Sequence, residues 1–469
     1  MRNVFTCLSI LLFVPSFAGA QSTLNFPITP ESAPSGIAIV NMGSAVASVT
    51  YTAYSSNGSP FASAVQTVQP RSQLSKLISE LFPGKVTSRG GLHGWIQVTS
   101  TTPGLDGFFA AGDFATWVTG LGALTPSADQ VLPVSGSTLM GVANPGTSAA
   151  SVSIKAYDSN ATQVGTTITK TVPPKGFYDA EADDGIIFGS GPLSTVKHLR
   201  ITATGPVVAP AGMFPALNRG DGAFVGGTDV ATAPNELNFA HVVSGSFGGA
   251  SYTTLVGITN PSASAQTVTM TFNTGSGTPL SVQASIPANG SSHKTLQELF
   301  GLPNTFQSGW LQVRGVTQLV GFVSYTDTVA GGVDLVPVQA SARTSLVFGH
   351  IADLAPWWTG LALLNTSATD TTVEVFAMNP DGSLIGGAQN VPTARFTLPA
   401  QSKVAKLLQE FVPATQSRSA DGGFVFVRTT NNVALFGVEL FFLRSGAAIA
   451  NVAADTLAPG ITFTPPSPN

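Results

Sequence analysis

Charge is scarce in this chain. Of its 469 residues, 9% are Asp, Glu, Lys or Arg, against roughly a quarter in an ordinary soluble domain. With a net charge of −4 it has no basic excess for gripping phosphates, which argues against sequence-independent nucleic-acid binding. Cysteine is all but missing: the single one, Cys7, falls in the first twenty residues. That excludes a thiol enzyme, a Cys-ligated zinc site and a disulfide framework in the rest of the chain. No run after Gln21 is long and apolar enough for a membrane-crossing helix. The strands below are also too irregular in length for an outer-membrane barrel.

Catalytic motifs are missing too. There is no Gly-x-Ser-x-Gly elbow and no Gly-x-Gly-x-x-Gly. Gly290-Ser-Ser-His-Lys294-Thr295 lacks the first glycine of a phosphate loop. The five histidines, His93, His198, His241, His293 and His350, include no closely spaced metal-ligand pair. No cofactor is expected.

What is present begins with Arg2, an apolar core from Val4 to Val14, and Ala18-Gly19-Ala20. That reads as a secretory signal peptide over residues 1–20, cut before Gln21. Export to the extracellular space, periplasm or cell surface is the expectation. At the other end, residues 459–469 carry Pro459, Pro465, Pro466 and Pro468 and read as a stiff, unpaired tail.

Between these ends the chain repeats itself four times. Gly36-Ile-Ala-Ile-Val-Asn41, Leu139-Met-Gly-Val-Ala-Asn144, Leu255-Val-Gly-Ile-Thr-Asn260 and Gly360-Leu-Ala-Leu-Leu-Asn365 are matching apolar strands. Eight residues after each Asn stands a valine: Val49, Val152, Val268 and Val373. Polar residues largely alternate with apolar ones around it, the mark of a strand with one face buried. Seventeen after each Asn comes a turn: Asn57-Gly58, Asn160-Ala161, Ser276-Gly277 and Asp381-Gly382. A Leu-x-Glu-Leu-Phe type helical turn follows in three copies, with Thr295 and Glu298 spaced as a capping box. In the second copy Glu181-Ala-Asp183-Asp184-Gly185 replaces it. Another strand then opens on one aromatic slot, held by Trp95, His198, Trp310 and Phe424. A slot that takes several flat rings is a packing site.

Repeats of about 100 to 115 residues with six to eight short strands predict an all-β chain of four tandem β-sandwiches with an immunoglobulin-like layout. The expected bounds are 21–128, 129–234, 235–342 and 343–458. A closed propeller is the rival; its blades run about 40 to 50 residues, half the period here. Short joints suggest a semi-rigid string of units. Together these motifs resemble secreted bacterial proteins built from tandem immunoglobulin-like repeats. The resemblance implies a structural scaffold and transfers no active-site residue.

The side chains singled out for binding are few. Asp179, Glu181, Asp183 and Asp184 form the densest acidic cluster and are the calcium candidates. Trp117, Tyr252, Trp357 and Trp358 are the aromatics for stacking on a sugar. Asn41, Asn144, Asn260 and Asn365 are expected to cap loop backbone. The expected function is a secreted, non-enzymatic element with a structural, adhesive or spacer role. Its partners would be extracellular polysaccharide or a cell-surface protein, with weak self-association through strand edges. The alternatives are a carbohydrate-binding module and a hydrolase whose carboxylates meet only in space.

Overall fold

The computed structural model describes residues 22–26, 34–85, 94–114, 117–214, 223–274, 278–386, 392–418, 421–445, 449–452, 454, 455, 461 and 463. The expected signal peptide, the turn at Ser276-Gly277 and His93 lie outside the described residues.

In the first repeat the strands are β1 (Ser22–Phe26), β2 (Ser35–Asn41), β3 (Ala47–Tyr54), β4 (Pro60–Val68), β5 (Ser72–Leu77), β6 (Trp95–Ser100), β7 (Leu105–Gly112) and β8 (Val118–Gly122). They form two antiparallel sheets, ordered β1-β6-β3-β4 and β5-β2-β7-β8. Both orders recur in three further repeats, whose first strands open at Ser127, Glu236 and Ser345. In the third repeat the first two strands run on as one hairpin, Glu236–Phe247 into Ala250–Thr259, and join the sheets. The chain is therefore all-β, with sandwich units, as the strand pattern predicts. The strand order is its own. In an immunoglobulin domain the first strand lies beside the second; here it lies beside the sixth in every repeat, meeting the second only through the hairpin of the third repeat, and the seventh flanks the second.

The four valines occupy one interior position. Val49, Val152, Val268 and Val373 are each 0% exposed on the third strand of their repeat. The turns form as read, with Gly58, Ala161 and Gly382 all at positive φ. Among the described residues each repeat then carries one short α-helix: α1 (Ile78–Leu81), α2 (Ala180–Asp184), α3 (Leu296–Phe300) and α4 (Leu408–Phe411). The acidic segment of the second copy thus supplies its own helix in place of the Leu-x-Glu-Leu-Phe turn. Two 3₁₀ turns, Gly191–Leu193 and Pro413–Ser417, are added.

The units do not form a string. The eighth strands, Val118–Gly122, Ala223–Gly226, Val333–Pro337 and Ile449–Val452, pack one against the next, and the last packs against the first. Four sandwiches therefore close into a ring around these strands. Beside this axis Asn451, 1% exposed, donates to the Leu335 carbonyl at 2.8 Å and the Gly120 carbonyl at 3.4 Å, tying three repeats. Closure of this kind belongs to propellers; here each unit contributes two sheets where a propeller blade contributes one.

Ring closure covers both faces of many strands. Ile37, Ala38, Ile39 and Val40 are all buried. Ile37 and Ile39 face their own sandwich, whereas Ala38 packs into the core of the fourth repeat. Ala362, Leu364, Phe436 and Val438 of that repeat pack in turn on the third. Of the stretch read as a stiff, unpaired tail, Ile461 and Phe463 are described, and Phe463 is packed. Phe463 is 3% exposed, with its ring against Phe376 and Phe426, beside Val40 and Met42 of the first repeat. An apolar ring among prolines finds an apolar seam to fill.

Candidate functional site

The aromatic slot lies at the seams between repeats. The Trp95 indole N–H donates to the Lys175 carbonyl of the next repeat at 2.7 Å, and its ring packs with Phe177. The equivalent His198 bonds Ser291 Oγ through Nδ1 at 2.7 Å. At the third seam Lys403 Nζ donates to Ser308 Oγ and His241 Nδ1, both at 2.9 Å. At the closing seam Gln73 Nε2 reaches the Gly349 and Gly423 carbonyls at 2.5 and 2.7 Å, and Gly423 N–H donates back to Gln73 Oε1 at 2.7 Å. A backbone bond repeats beside three of these contacts. Phe177, Ser291 and Gln73 donate their N–H groups to Ser56, Ser159 and Pro380 carbonyls.

Two of these seams imitate catalytic pairs, Ser291 with His198 and Ser308 with Lys403. Their chemistry is constrained by place. Burial pushes the His198 imidazole down to about 4, with Arg200 adding to the shift, so the ring is neutral at pH 7. Burial likewise pushes the Lys403 amine down to about 7. Yet His198 and Ser291 are 2% and 5% exposed. The same positions elsewhere hold Trp95 with Phe177, and Gln73 with Gly423, which perform no acid–base work. Lys403 and Ser308 are half-buried.

The calcium candidates are occupied by a helix terminus. Asp179 Oδ1 accepts from the Glu181 and Ala182 N–H groups at 3.0 and 3.1 Å, an N-cap of α2. Asp183 accepts from Asp179 N–H at 3.1 Å. Asp184 pairs with Lys170 at 2.6 Å, and hydrogen bonds from Lys170 and Tyr178 hold its carboxyl below the usual range. Among the described residues no three His, Cys, Asp or Glu side chains converge as a metal site.

The asparagines cap as expected. Asn365, 0% exposed, donates to the Thr369, Leu398 and Pro399 carbonyls and accepts from Ser367 N–H and Oγ. Asn41, Asn144 and Asn260 repeat the pattern.

The four sugar candidates are not brought together. Trp357 and Trp358 open the second strand of the last repeat, half-buried. Trp357 packs edge-on against Phe441, and Trp358 against Phe442 under the Arg444 guanidinium. Trp117 is 9% exposed ahead of β8. Tyr252 alone stands in an exposed aromatic group. It meets Phe306 edge-on at 6.3 Å, and Phe306 meets Phe247 at 5.2 Å with planes 37° apart. Phe247 and Phe306 are 66% and 37% exposed. Sequence reading passed over both, because a lone Phe beside Gly248-Gly249 carries no periodicity.

One fully buried carboxyl, Glu439, sits inside the last repeat beside the half-buried Asp353. Glu439 is 0% exposed and, with neighbouring Asp353 adding to burial, is held well above the ordinary carboxyl range; Asp353 is raised by burial too. With no exposed surface, Glu439 offers a polymeric substrate no approach. A cavity of about 440 Å³ opens between the fourth and fifth strands of the same repeat, floored by Phe396 and Phe411 and rimmed by Arg395, Lys406 and Glu410.

No family model matches the chain, and no curated protein matches it. Among solved structures, a Thermotoga maritima protein, 1070, is 16% identical over 23% of this chain and 96% of its own, with a TM-score of 0.21. A tetra-tandem repeat from the extending region of a large adhesion protein is 14% identical over 94% of this chain and 100% of its own, with a TM-score of 0.13. At such scores neither similarity bears on fold or function. No described helix is long and apolar enough to cross a membrane.

Proposed function

We propose that this protein is an exported, non-catalytic scaffold that acts outside the cell by presenting surface, in a structural or adhesive role. One observation carries the reading: the side chains with chemical capacity are taken up in seams, caps and cores. His198, Lys403 and Gln73 join repeats, Asp179 caps a helix, and Glu439 is enclosed. A closed ring of four units is also too compact for a spacer, which favours adhesion over reach.

The test combines export and turnover. Expressed full length, the chain should be recovered outside the cytoplasm, beginning at Gln21 by N-terminal sequencing. Panels of glycoside, ester and peptide substrates should show no turnover. Cytoplasmic retention with an intact start, or hydrolysis abolished by Glu439→Gln or Asp353→Asn, would overturn it.

A further inference from the structure

We infer that the tip of the third repeat is a binding site for a neutral polysaccharide, stacked on Phe247 and Phe306 with Tyr252 at their edge. The inference rests on the scaffold reading only in that surface, and not chemistry, is what acts.

The platform is built by features of the third repeat. Its first two strands continue as a hairpin past the sandwich, turning through Gly248 and Gly249, both at positive φ. That hairpin lifts Phe247 clear of the core. Phe306 comes from the segment after α3, where Ser246 bridges Thr305, and Tyr252 sits on the returning strand. The chain has 29 Phe residues; among the described ones these two are the exposed pair, and they touch. Leaving them 66% and 37% exposed forgoes roughly 1–2 kcal/mol of burial at Phe247 and about half that at Phe306, a cost that needs a reason.

The rim decides the chemistry of the occupant. Ser246, Ser251, Asn304, Thr305 and Gln307 supply neutral hydroxyl and amide groups beside the rings. The carboxyl beside Tyr252, Asp327, is 1% exposed, and its Oδ1 is taken by the Ser251, Val329 and Ala330 N–H groups. Aromatic faces with a neutral hydrogen-bonding rim match the apolar C–H face and hydroxyl edge of a pyranose ring. They offer nothing to a carboxylated or sulfated chain. Size argues against a protein partner. The two rings expose about 200 Å² of surface, taking roughly 200 Å² for a whole Phe, whereas a stable protein interface needs about 800 Å² a side.

The test is affinity electrophoresis and pull-down of the full mature chain with neutral polysaccharides (cellulose, mixed-linkage β-glucan, xylan, mannan, dextran), with alginate as the anionic control. Retardation by at least one neutral polymer is expected. Phe247→Ala and Phe306→Ala should each weaken it at least tenfold; the melting temperature should be unchanged in Phe247→Ala, whose ring is 66% exposed, and only slightly lowered in Phe306→Ala, whose ring is 37% exposed. Val316→Ser, at a 77% exposed turn, should leave it intact. Retention by none of the neutral polymers, retention by alginate alone, or retention that survives the double Phe variant would each overturn the site. None of these results touches the scaffold reading, which fails on cytoplasmic retention or turnover.

Discussion

Gln73 closes the ring, and its removal tests the whole architecture. The residue is 5% exposed. Its amide donates to Gly349 and Gly423 carbonyls and accepts from Gly423 N–H, all in the last repeat. Gln73→Ala removes three hydrogen bonds worth about 0.5–1.5 kcal/mol each and leaves a buried N–H unpaired. The expected cost is about 3 kcal/mol. What that does to the melting temperature depends on the size of the cooperative unit. Unfolding entropy is about 2.1 cal/mol/K per residue. If the ring melts as one body, about 3 kcal/mol lowers Tm by about 3 °C. If a single repeat of about 110 residues melts alone, the same loss lowers its Tm by about 13 °C. Differential scanning calorimetry separates the two. A single transition, with calorimetric and van't Hoff enthalpies in agreement, should shift down by about 3 °C. An unchanged Tm, or a separate early transition displaced by more than 10 °C, would refute ring closure as a source of stability.

Further outcomes follow from the seams and cores. Asn365→Ala removes a fully buried cap with five partners and should cost about 3 kcal/mol by chemical denaturation; a cost under about 1 kcal/mol would contradict the capping role. Glu439 titrates above its ordinary range when folded, so the folded chain holds the extra proton. Its contribution is complete below about pH 4 and is lost as pH rises. Glu439→Gln should therefore gain stability relative to wild type on going from pH 4 to pH 8, and a pH-independent difference would count against burial of the carboxyl. Lys403 behaves in the opposite sense. Its folded pKa of about 7 lies below the unfolded value of about 10.4, so the folded chain holds fewer protons between them. Stability falls as pH drops from about 10 to 7 and then levels. Lys403→Met should flatten that slope, and an unaltered slope would place the titration elsewhere. Ala161 stands at φ 67°, where its equivalents are Gly58 and Gly382. Ala161→Gly should stabilise by about 0.5–1 kcal/mol, measured as a denaturation midpoint.

The repeat was legible because its physics is local. Alternation around Val49 or Val268 follows from one buried face, Asn57-Gly58 and Asp381-Gly382 from the φ that a tight turn needs, and Thr295 with Glu298 from orphan N–H groups at a helix start. Each is satisfied within some twenty residues. The acidic segment at Asp179 was harder to read, because an N-cap and a calcium loop both ask for carboxylates beside backbone N–H groups. Tyr252 was singled out but the rings packed beside it were not, since Phe247 and Phe306 are 59 residues apart in sequence and meet only when the hairpin reaches past the sandwich.

Sequence by itself therefore determined four copies of one strand plan, their inner valines and capping asparagines, and the scarcity of chemical groups. The tertiary structure decided that the copies close on one another. A continuous apolar run such as Ile37-Ala-Ile-Val40 says that both faces are buried, but does not say against what. Local periodicity records how each residue faces its own sheet. Which neighbour covers the far face, and whether the last unit meets the first, depends on contacts hundreds of residues apart, such as Gln73 with Gly423, that no short window of sequence contains.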